Sequence, residues 1–522
     1  MRWVRRVLER ATLVAALAAA GPARAPAARG PGDVAVPPAP AIEDAERALD
    51  VNAIRCRVSN LGVLGYDLYT GNAGFECPQG SDRKPIFSIG LWLLGEIFGT
   101  PRTVGSAISD YDSEFNPGPA NSRGPVDPSG SDPSYRVYKI GRDDLTSPGA
   151  DYLSWPALQG APVDATGQPL LLGDQTLFCV YNDADPSRHH VLQGSTAPLG
   201  VEVRQTVYAF NRPFELTSVM IARYEIQNRS LSRLPELYVA LWMDPDLGDP
   251  NDDLAGCDTT VGAVFAYDGA FGSDSRGSVP PAVGAVLLAD SLTNRPRAGL
   301  HATAAYPASL DPDSFGESLN LIRGLDKNGQ PWMCSGAGTR FPYVGDPATS
   351  ACPDSAGGDK RLLLSVGPYD VNPGSTVFVT VAFLVASDPR ARTSADNVPL
   401  LLRTAPVVRD GWFAGFASLP EPPRVTRLGA PFPNPFGNLV EFDVQVPKGE
   451  TPPRQLEVLD ARGRIVWTEP ITTLRPGYNR LAWSGRTRQG IQAPAGVYVL
   501  RLITEHGPLV TRAARLSPGA TP

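Results

Sequence analysis

The sequence has 522 residues, of which 42% are hydrophobic and 19% are charged, and its formal net charge at pH 7 is −7. The hydrophobic content excludes a largely disordered chain, and the length predicts more than one folding unit; we expect two. The positive charges are mostly arginines scattered along the chain, which excludes the basic patch that nucleic-acid binding requires. The 52 glycines and 53 prolines indicate many turns between short strands.

The first 25 residues have the pattern of an export signal. A positive segment with Arg2, Arg5 and Arg6 precedes the short apolar run "ATLVAALAAA", and "ARA" has the small-x-small pattern of a cleavage site. The run is shorter than the roughly 20 apolar residues that a membrane-spanning helix needs. We therefore expect a cleaved signal peptide at residues 1–25, no transmembrane segment after its removal, and a location that is secreted or on the outer cell surface. A Pro/Ala-rich flexible leader is predicted at residues 26–49.

Residues 50–417 are predicted to form a large antiparallel β-sandwich of unknown function. Apolar and β-branched runs recur between clusters of turn residues and include "VEVRQTVYAF", "SVMIARYEIQN", "LYVALWM" and "TVFVTVAFLVAS". In "SVMIARYEIQN", the positions of Val219, Ile221, Tyr224 and Ile226 depart from strict alternation. Either a bulge or burial of both faces is expected there.

One helix is predicted before a linker. The segment "SADNVPLLLRTAPVVRDGWFAGF" offers Ser394 or Asp396 as a cap and carries apolar residues along its length. Pro406 lies inside this segment and predicts a kink or a break. Residues 418–430 are then predicted to be a stiff Pro-rich linker.

The six cysteines are expected to be partly oxidised in an exported chain. Local pairs are favoured, Cys56 with Cys77 and Cys334 with Cys352, because each would close a Gly/Pro-rich loop. Cys179 lies in the strand-like "TLFCVYND", so both a buried thiol and a third bridge with Cys257 stay open.

Residues 431–516 are predicted to be a small immunoglobulin-like β-sandwich. The stretch "QLEVLDARGRIVWTEP" indicates a hairpin with its tight turn at residues 461–463, and further short strands follow at regular spacing. Phe436 and Trp483 are expected to fill opposite ends of its core, while Gly485 and Gly490 provide turns with positive φ.

The same segment resembles the C-terminal sorting domain of bacterial type IX secretion cargo and the related Ig-like domain of the flagellar hook-capping protein. The resemblance rests on "PFPNPF", "DARGR" and "LAWSGRTRQGIQAPAGVYVLRL", with the recurring marks Asn434, Pro435, Phe436, Trp483, Gly485, Gly490, Gly496, Val497 and Tyr498 in order. It implies sorting or surface attachment, with secretion or cell-envelope machinery as the partner. The chain ends in "SPGATP" and not in a strand followed by a basic residue, so recognition by a type IX translocon and a plain Ig-like module both stay open.

The larger segment also resembles a group of secreted bacterial proteins without a known activity. Blocks such as "DQTLFCVYNDAD" and "PLGVEVRQTVYAFN" occur in the same order. This resemblance implies a single folded N-terminal unit and no particular chemistry.

A cluster of aspartates follows the run "LYVALWM" and could bind a metal ion. Its members are Asp244, Asp246, Asp249, Asp252, Asp253 and Asp258. A Ca²⁺ site, an arginine-paired loop and a solvated bend are all compatible with it, and the spacing from Asp244 does not fit an EF-hand. Since two carboxylates 4 Å apart repel by about 1 kcal/mol even in bulk water, a counter-charge is favoured. We expect a structural calcium ion with Asp244, Asp246, Asp249, Asp252 and Asp253 as the ligands.

Motifs for catalysis are missing from the sequence. It contains no GxSxG, Walker, GxGxxG, HExxH or CxxC pattern, so no catalytic or cofactor-binding residue is predicted. His189 and His190 lie near two aspartates, and a surface turn is expected there. We expect an exported protein that is not an enzyme. The alternative is a secreted glycan-active hydrolase or carbohydrate-binding protein, in which Trp92 and Trp155 would line a sugar-stacking groove instead of a core.

Overall fold

The computed structural model describes residues 42–108, 111–189, 196–212, 216–269, 279–291, 299–388, 390–413, 415, 426–429, 431, 434–447, 451–471, 474 and 477–516. The predicted signal peptide and most of the predicted leader and linker lie outside these residues. Among the described residues, no helix combines the length and the apolar character needed to span a membrane.

Strands dominate the chain as far as residue 386. They are β1 (Glu46–Leu49), β2 (Arg55–Ser59), β3 (Val63–Leu64), β4 (Phe75–Glu76), β5 (Ile86–Ile97), β6 (Thr100–Ile108), β7 (Asp112–Ser113), β8 (Asn116–Pro117), β9 (Ala120–Asn121), β10 (Gly124–Pro125), β11 (Tyr138–Gly141), β12 (Gln175–Asn182), β13 (Val201–Ala209), β14 (Val219–Asn228), β15 (Leu234–Pro245), β16 (Asp253–Asp258), β17 (Ala263–Asp268), β18 (Ala282–Asp290), β19 (Ala302–Pro307), β20 (Trp332–Cys334), β21 (Ala337–Thr339), β22 (Lys360–Val371) and β23 (Thr376–Ala386). The α-helices are α1 (Ala150–Leu153), α2 (Phe315–Ile322) and α3 (Val398–Phe413). Short 3₁₀ helices span Pro133–Tyr135, Arg142–Leu145, Ala157–Gln159, Pro186–Arg188, Pro250–Asp252, Ala308–Leu310 and Ser394–Asn397.

Most of these strands form two large antiparallel sheets. The front sheet has the order β1-β2-β3-β5-β15-β22-β19, and in addition β4 pairs with β2 and β5, β6 with β5, and β7 with β6. The back sheet has the order β11-β12-β13-β14-β23-β18-β17-β16, with β8 beside β12. The pairs β9–β10 and β20–β21 form separate two-stranded ribbons.

The main apolar core lies between the front and back sheets. Both sheets contribute buried side chains to one continuous cluster, which includes Leu91, Leu241 and Leu364 from the front sheet and Val203, Tyr224 and Val381 from the back sheet. Burial of apolar surface, at about 25 cal/mol per Å², is the main force that holds the two sheets face to face. The predicted large antiparallel β-sandwich is confirmed.

Strand β14 is buried on both faces, which explains its irregular sequence pattern. Ala222, Tyr224 and Ile226 belong to the core between the sheets, whereas Val219 and Ile221 belong to a second cluster on the outer side of the back sheet. The pairing of β14 with β13 and β23 runs without a register shift. Of the two expected alternatives, burial of both faces is therefore correct and a bulge is not.

Helix α3 covers the outer face of the back sheet. Its buried residues Leu401, Ala405 and Val408 recur at helical spacing and share the cluster that contains Val219 and Ile221. On the other side of the sandwich, α2 packs Leu321 and Ile322 against the outer face of the front sheet, where they join a cluster rich in aromatic residues. Both sheets are thus covered on their outer faces over part of their area.

Two details of the helix prediction are corrected. Thr393, and not Ser394 or Asp396, occupies the N-cap of the 3₁₀ turn that leads into α3, and its N–H donates to the Asp396 carboxylate at 2.9 Å. The helix also continues through Pro406, so the predicted break is wrong. A proline inside a helix costs about 3 kcal/mol, and the burial of Leu401 and Val408 on either side of Pro406 offsets this cost.

The predicted leader contains a strand. Strand β1 lies inside the predicted leader at residues 26–49 and pairs with β2. The carboxylate of Glu46 is buried in this strand, accepts a hydrogen bond from the Leu68 N–H at 2.7 Å and forms an ion pair with Arg57 at 3.1 Å. The leader boundary at residue 49 is therefore too late.

One of the two predicted disulfides is present. Cys334 and Cys352 are bridged, with their Cα atoms 5.5 Å apart. Cys56 and Cys77 are both buried thiols in the main core. The register of β2 and β4 places Phe75, and not Cys77, opposite Cys56. Cys179 is a buried thiol that accepts a hydrogen bond from the Gln205 amide.

The C-terminal segment has its own sheets and core. Its strands are β24 (Arg427–Leu428), β25 (Val440–Val446), β26 (Gln455–Leu459), β27 (Ile465–Pro470), β28 (Gly477–Trp483), β29 (Gly496–Thr504) and β30 (Gly507–Arg515). They form a sheet of order β24-β25-β28 and another of order β27-β26-β29-β30. Among the described residues, their shared apolar cluster contains only residues from the C-terminal segment. This is the predicted small Ig-like sandwich, while the boundaries at residues 417 and 431 stay predictions.

The aromatic marks of this sandwich touch one another. Phe436, Trp483 and Tyr498 are buried, with the Trp483 ring centroid 5.6 Å from that of Phe436 and 4.9 Å from that of Tyr498. The expectation that Phe436 and Trp483 fill opposite ends of the core is therefore wrong. Gly485 and Gly490 have φ values of 66° and 75°, as predicted for turn glycines.

Replacement of both bridged cysteines by serine should destabilise the large sandwich. The bridge closes a loop with a sequence separation of 18 residues, and the chain-entropy relation for a loop of this size gives a loss of about 3 kcal/mol. Urea unfolding without a reductant measures this loss for the Cys334→Ser/Cys352→Ser variant. Reductant should lower the stability of the wild type and leave the double variant unchanged, and an equal effect on both proteins would contradict the expectation.

Glu46→Gln should weaken the pH dependence of stability. Burial raises the pKa of Glu46 to about 7, against the opposing effects of the Leu68 N–H and Arg57. A carboxyl group whose pKa is higher in the folded state takes up a proton on folding, so its contribution to the free energy of unfolding falls as the pH rises from about 4.5 to about 7. Urea unfolding at several pH values should show a flatter profile for the variant. Glu225→Gln, with a half-exposed side chain on the back sheet, is the control that should keep the wild-type slope.

Candidate functional site

The predicted aspartate cluster lies where the chain crosses from one sheet to the other. Strand β15 of the front sheet ends at Pro245, and β16 of the back sheet begins at Asp253. The crossing loop, residues 246–252, connects them and contains the 3₁₀ turn Pro250–Asp252. The aspartates are consequently divided between the two sheets and the loop.

Asp244 is neutralised by an arginine on the neighbouring strand. Arg361 of β22 donates from Nη1 to Asp244 Oδ1 at 2.5 Å and to Asp359 Oδ1 at 2.5 Å, while the Tyr111 hydroxyl donates to Asp244 Oδ2 at 2.7 Å. Burial lowers the pKa of the Arg361 guanidinium. The negative charges of Asp244, Asp311 and Asp359 have a larger opposite effect, so the pKa is raised overall. The arginine-paired loop, one of the three interpretations of the sequence, therefore describes this part of the cluster.

Asp246 joins the same group from the crossing loop. Carboxylate oxygens of Asp244, Asp246 and Asp359 lie within 4.8 Å of one another. Burial, followed by the charge of Asp359, raises the pKa of Asp246 to about 7 despite Arg361. The group holds three carboxyl groups beside the Arg361 guanidinium, and its oxygens are close enough together to contact one cation.

A second pair of acids lies on the back sheet. Asp253 and Asp268 are direct cross-strand partners in β16 and β17, and both side chains are buried. Asp253 Oδ2 accepts a hydrogen bond from the Leu247 N–H at 3.2 Å, whereas Oδ1 has no hydrogen-bond partner within the described chain. Burial raises the pKa of Asp253 to about 10. The charges of Asp246 and Asp268 raise it further, whereas the hydrogen bond from the Leu247 N–H lowers it.

The other aspartates of the cluster have local roles or lie apart. Asp249 caps the 3₁₀ turn by accepting from the Asn251 N–H at 3.0 Å, which lowers its pKa. Asp258 accepts from the Thr260 N–H at 2.7 Å in the next turn. Asp252 is not part of the close group with Asp244 and Asp246. The structure therefore brings two of the five predicted ligands, Asp244 and Asp246, into one close group of oxygens.

Four residues of this region are not among those predicted from the sequence. Asp359 and Arg361 lie in the charged triplet before "LLLSVG", Asp268 ends the run "AVFAYD", and Tyr111 follows "SAISD". The charged triplet is a usable signal for ion pairs at this site. Charged side chains directly before an apolar strand must either lie at the edge of the sheet or be paired with opposite charges. Nothing in the sequence near Asp268 or Tyr111 indicates their partners.

The candidate sugar-binding tryptophans are part of the core. Trp92 is 2% exposed and donates from Nε1 to the Ser106 carbonyl at 3.1 Å. Trp155 is 9% exposed and donates to the Pro162 carbonyl at 2.8 Å. A depression of about 10 Å³ beside Tyr238 has room for about one water molecule. Neither tryptophan offers a ring face to a sugar.

His189 is also internal, contrary to the expected surface turn. It is 5% exposed, and its Nε2–H donates to the Asp183 carbonyl at 2.8 Å. The Asp183 carboxylate in turn accepts from the N–H groups of Leu199 and Val201, both at 2.6 Å. His190 lies outside the described residues. His189 and Asp183 thus fix the end of β12 against the start of β13.

The C-terminal sandwich carries an open groove on its four-stranded sheet. The groove has a volume of about 420 Å³ and is lined by Val497, Val499 and Arg501 of β29, Val510 and Arg512 of β30 and the turn after β26. Val497 and Val510 are 49% and 60% exposed. This face combines exposed apolar side chains with arginines, as contact surfaces do.

Comparisons with known proteins give a match at the C-terminus. The sequence model of the FlgD Ig-like domain matches residues 438–507, inside the predicted domain at 431–516. Among curated proteins, none matches the chain.

Among solved structures, the similarities are remote. A polysaccharide lyase aligns over 60% of this chain and 34% of its own, with 8% identity and a TM-score of 0.18. Dimeric latent PorU from Porphyromonas gingivalis aligns over 65% and 33%, with 11% identity and a TM-score of 0.16. PorZ, a surface component of the type-IX secretion system of the same organism, aligns over 68% and 44%, with 11% identity and a TM-score of 0.13. The chain spans less than half the length of each of these structures, and at such TM-scores the alignments support no conclusion about function.

Arg361→Met should strongly destabilise the large sandwich. The substitution removes the buried positive charge beside Asp244, and an uncompensated buried carboxylate costs about 3–5 kcal/mol. Urea unfolding should show this loss, and the double variant Asp244→Asn/Arg361→Met should recover much of it. Arg233→Met, which breaks an exposed pair with Asp370, is the matched control and should change stability little. Equal losses in the two single variants would contradict the assigned role of Arg361.

Proposed function

We propose that this chain is an exported or cell-surface protein in which a C-terminal Ig-like domain, residues 431–516, serves in sorting or surface attachment. The observation that carries the proposal is the match of residues 438–507 to the FlgD Ig-like domain, in a segment whose apolar core is made of its own residues. A module with its own core can be recognised independently of the body it is attached to. The groove beside Val497 and Val510 is a surface through which it can contact secretion or cell-envelope machinery.

The large β-sandwich is proposed to be a body without catalytic function. Trp92 and Trp155, which a glycan-binding face would expose, are buried and hydrogen-bonded. The acidic groups near the crossing loop are held by Arg361 and by backbone N–H groups, as in a structural site. The alternative of a secreted glycan-active hydrolase or carbohydrate-binding protein therefore receives no support from these residues.

The N-terminal part of the proposal concerns export. Residues 1–25 act as a cleaved signal peptide, and the mature protein is delivered outside the cytoplasm, where the Cys334–Cys352 bridge is stable. A type IX translocon is one candidate for the machinery that reads the C-terminal domain, and a surface anchor that holds a plain Ig-like module is the other.

Deletion of residues 424–522 should prevent surface delivery without preventing export. In the native host, the full chain is expected outside the cell, whereas the shortened chain is expected to be retained inside the envelope because it lacks the sorting module. Fractionation followed by immunoblotting measures the distribution. Mass spectrometry of the N-terminus is the control, since both chains should have lost residues 1–25, and unfolding curves show whether the shortened chain folds. A folded, processed and shortened chain at the surface would refute the sorting role.

A further inference from the structure

The groove on the outer face of the four-stranded C-terminal sheet has a floor of valines. Val497 and Val499 flank the inward-facing Tyr498 on β29, so their side chains point away from the core. The strand register places Leu459 of β26 on one side of Val499 and Arg512 of β30 on the other. The volume of about 420 Å³ lies within the range of known ligand sites, about 300–1,000 Å³. The groove is therefore large enough to hold part of a peptide.

The apolar side chains of this face are exposed to solvent. Val497 and Val510 are about half exposed, and Ile503, which is 37% exposed, continues the same face at the far end of β29. None of these three side chains belongs to the apolar core of the described C-terminal sandwich. Contiguous exposed apolar side chains mark contact surfaces, because burying them against a partner is favourable.

The charges around the groove leave an excess of arginine. Asp460, in the turn after β26, forms an ion pair with Arg464 at 2.7 Å, and Glu457 accepts a hydrogen bond from Arg501 Nε at 2.7 Å. Both acids therefore already have an arginine partner. Within the described part of the chain, the exposed Arg512 forms no ion pair. It is an unmatched positive charge directly beside the valine floor.

A second unmatched arginine lies on the opposite side of the floor. Arg462 is exposed in the turn between the lining residues Ala461 and Gly463, and it too forms no ion pair with a described residue. The valines are thus flanked by a positive charge on each side.

These features distinguish between the possible occupants. A second copy of this chain would bring the same two arginines to the contact, and like charges across an interface repel. A flat lipid surface does not reach a concave floor. The lining contains neither an aromatic ring nor a side-chain amide, with which proteins bind sugars. A peptide with acidic and apolar side chains matches both the arginines and the valines.

We propose that this groove binds an extended acidic segment of a partner protein, with apolar side chains on Val497 and Val499 and carboxylates at Arg462 and Arg512. Side chains alternate along an extended peptide, so one set faces the floor while the long acidic side chains between them reach the rim. The inference rests on the proposed recognition role of the C-terminal domain and names the chemistry of the segment that it recognises.

The test is the binding of a fluorescein-labelled peptide of four Glu-Val repeats to the purified full chain, followed by fluorescence anisotropy. A Lys-Val peptide and a Glu-Ser peptide of the same length are the comparisons. The Glu-Val peptide should bind about ten-fold more tightly than either, because only it supplies both the charge and the apolar contact. Raising NaCl from about 50 mM to about 500 mM should weaken this binding, since salt screens exposed charges.

Variants of exposed residues locate the binding on the groove. Arg512→Glu and Val497→Ser should each weaken binding of the Glu-Val peptide about five- to ten-fold, and urea unfolding should show that both still fold. Arg427→Glu changes an exposed arginine on the other sheet of the same sandwich and is the matched control, which should bind as the wild type does. The proposal is overturned if the Glu-Val peptide binds no more tightly than the Lys-Val peptide, or if Arg427→Glu loses as much affinity as Arg512→Glu.

The outcome is separate from that of the sorting experiment. Peptide binding by the full chain, together with normal surface delivery after deletion of residues 424–522, would support the groove and refute the sorting role. Delivery that depends on those residues in a chain that does not bind the Glu-Val peptide would overturn the groove assignment alone.

Discussion

The burial of apolar side chains between the front and back sheets is the constraint on which the rest of the large domain depends. Because the interior between the sheets has a low dielectric constant, every charged group near it must find a partner or stay at its margin. The crossing from β15 to β16 brings several aspartates to this margin. Arg361, the Tyr111 hydroxyl and the Leu247 N–H are the partners that make their burial tolerable.

The strands and the fold class could be predicted from the sequence because they depend on local patterns. Runs such as those of β13 and β23 are β-branched, apolar and bounded by turn residues, and the structure has strands at both. For the irregular pattern of β14, the sequence left two alternatives, a bulge or burial of both faces. It does not show that α3, which is distant along the chain, covers the outer face of this strand. The continuation of α3 through Pro406 could not be predicted for the same reason, because packing against the sheet outweighs the local penalty of a proline.

The candidate site was predictable only in part, because its geometry depends on strand register. The pairing of Met243 with Leu362 brings Asp244 to Arg361, although the two residues are more than a hundred positions apart in the sequence. The pairing of Asp253 with Asp268 likewise creates an acidic pair that no spacing rule contains. The disulfides depend on register in the same way. Cys334 and Cys352 are bridged, whereas the register of β2 and β4 places Phe75 opposite Cys56.

The entry to the C-terminal sandwich is fastened to its exit. Asn434 donates to the Arg512 carbonyl at 2.9 Å and accepts from the Ala514 N–H at 2.8 Å, while the backbone at Phe436 forms a parallel bridge with Arg515. If the chain is pulled from both ends of this module, the two joined segments slide past each other along their length. Such a load is shared by several hydrogen bonds at once and does not open them one after another. A load applied to the two ends of this module would therefore be resisted by these hydrogen bonds acting together.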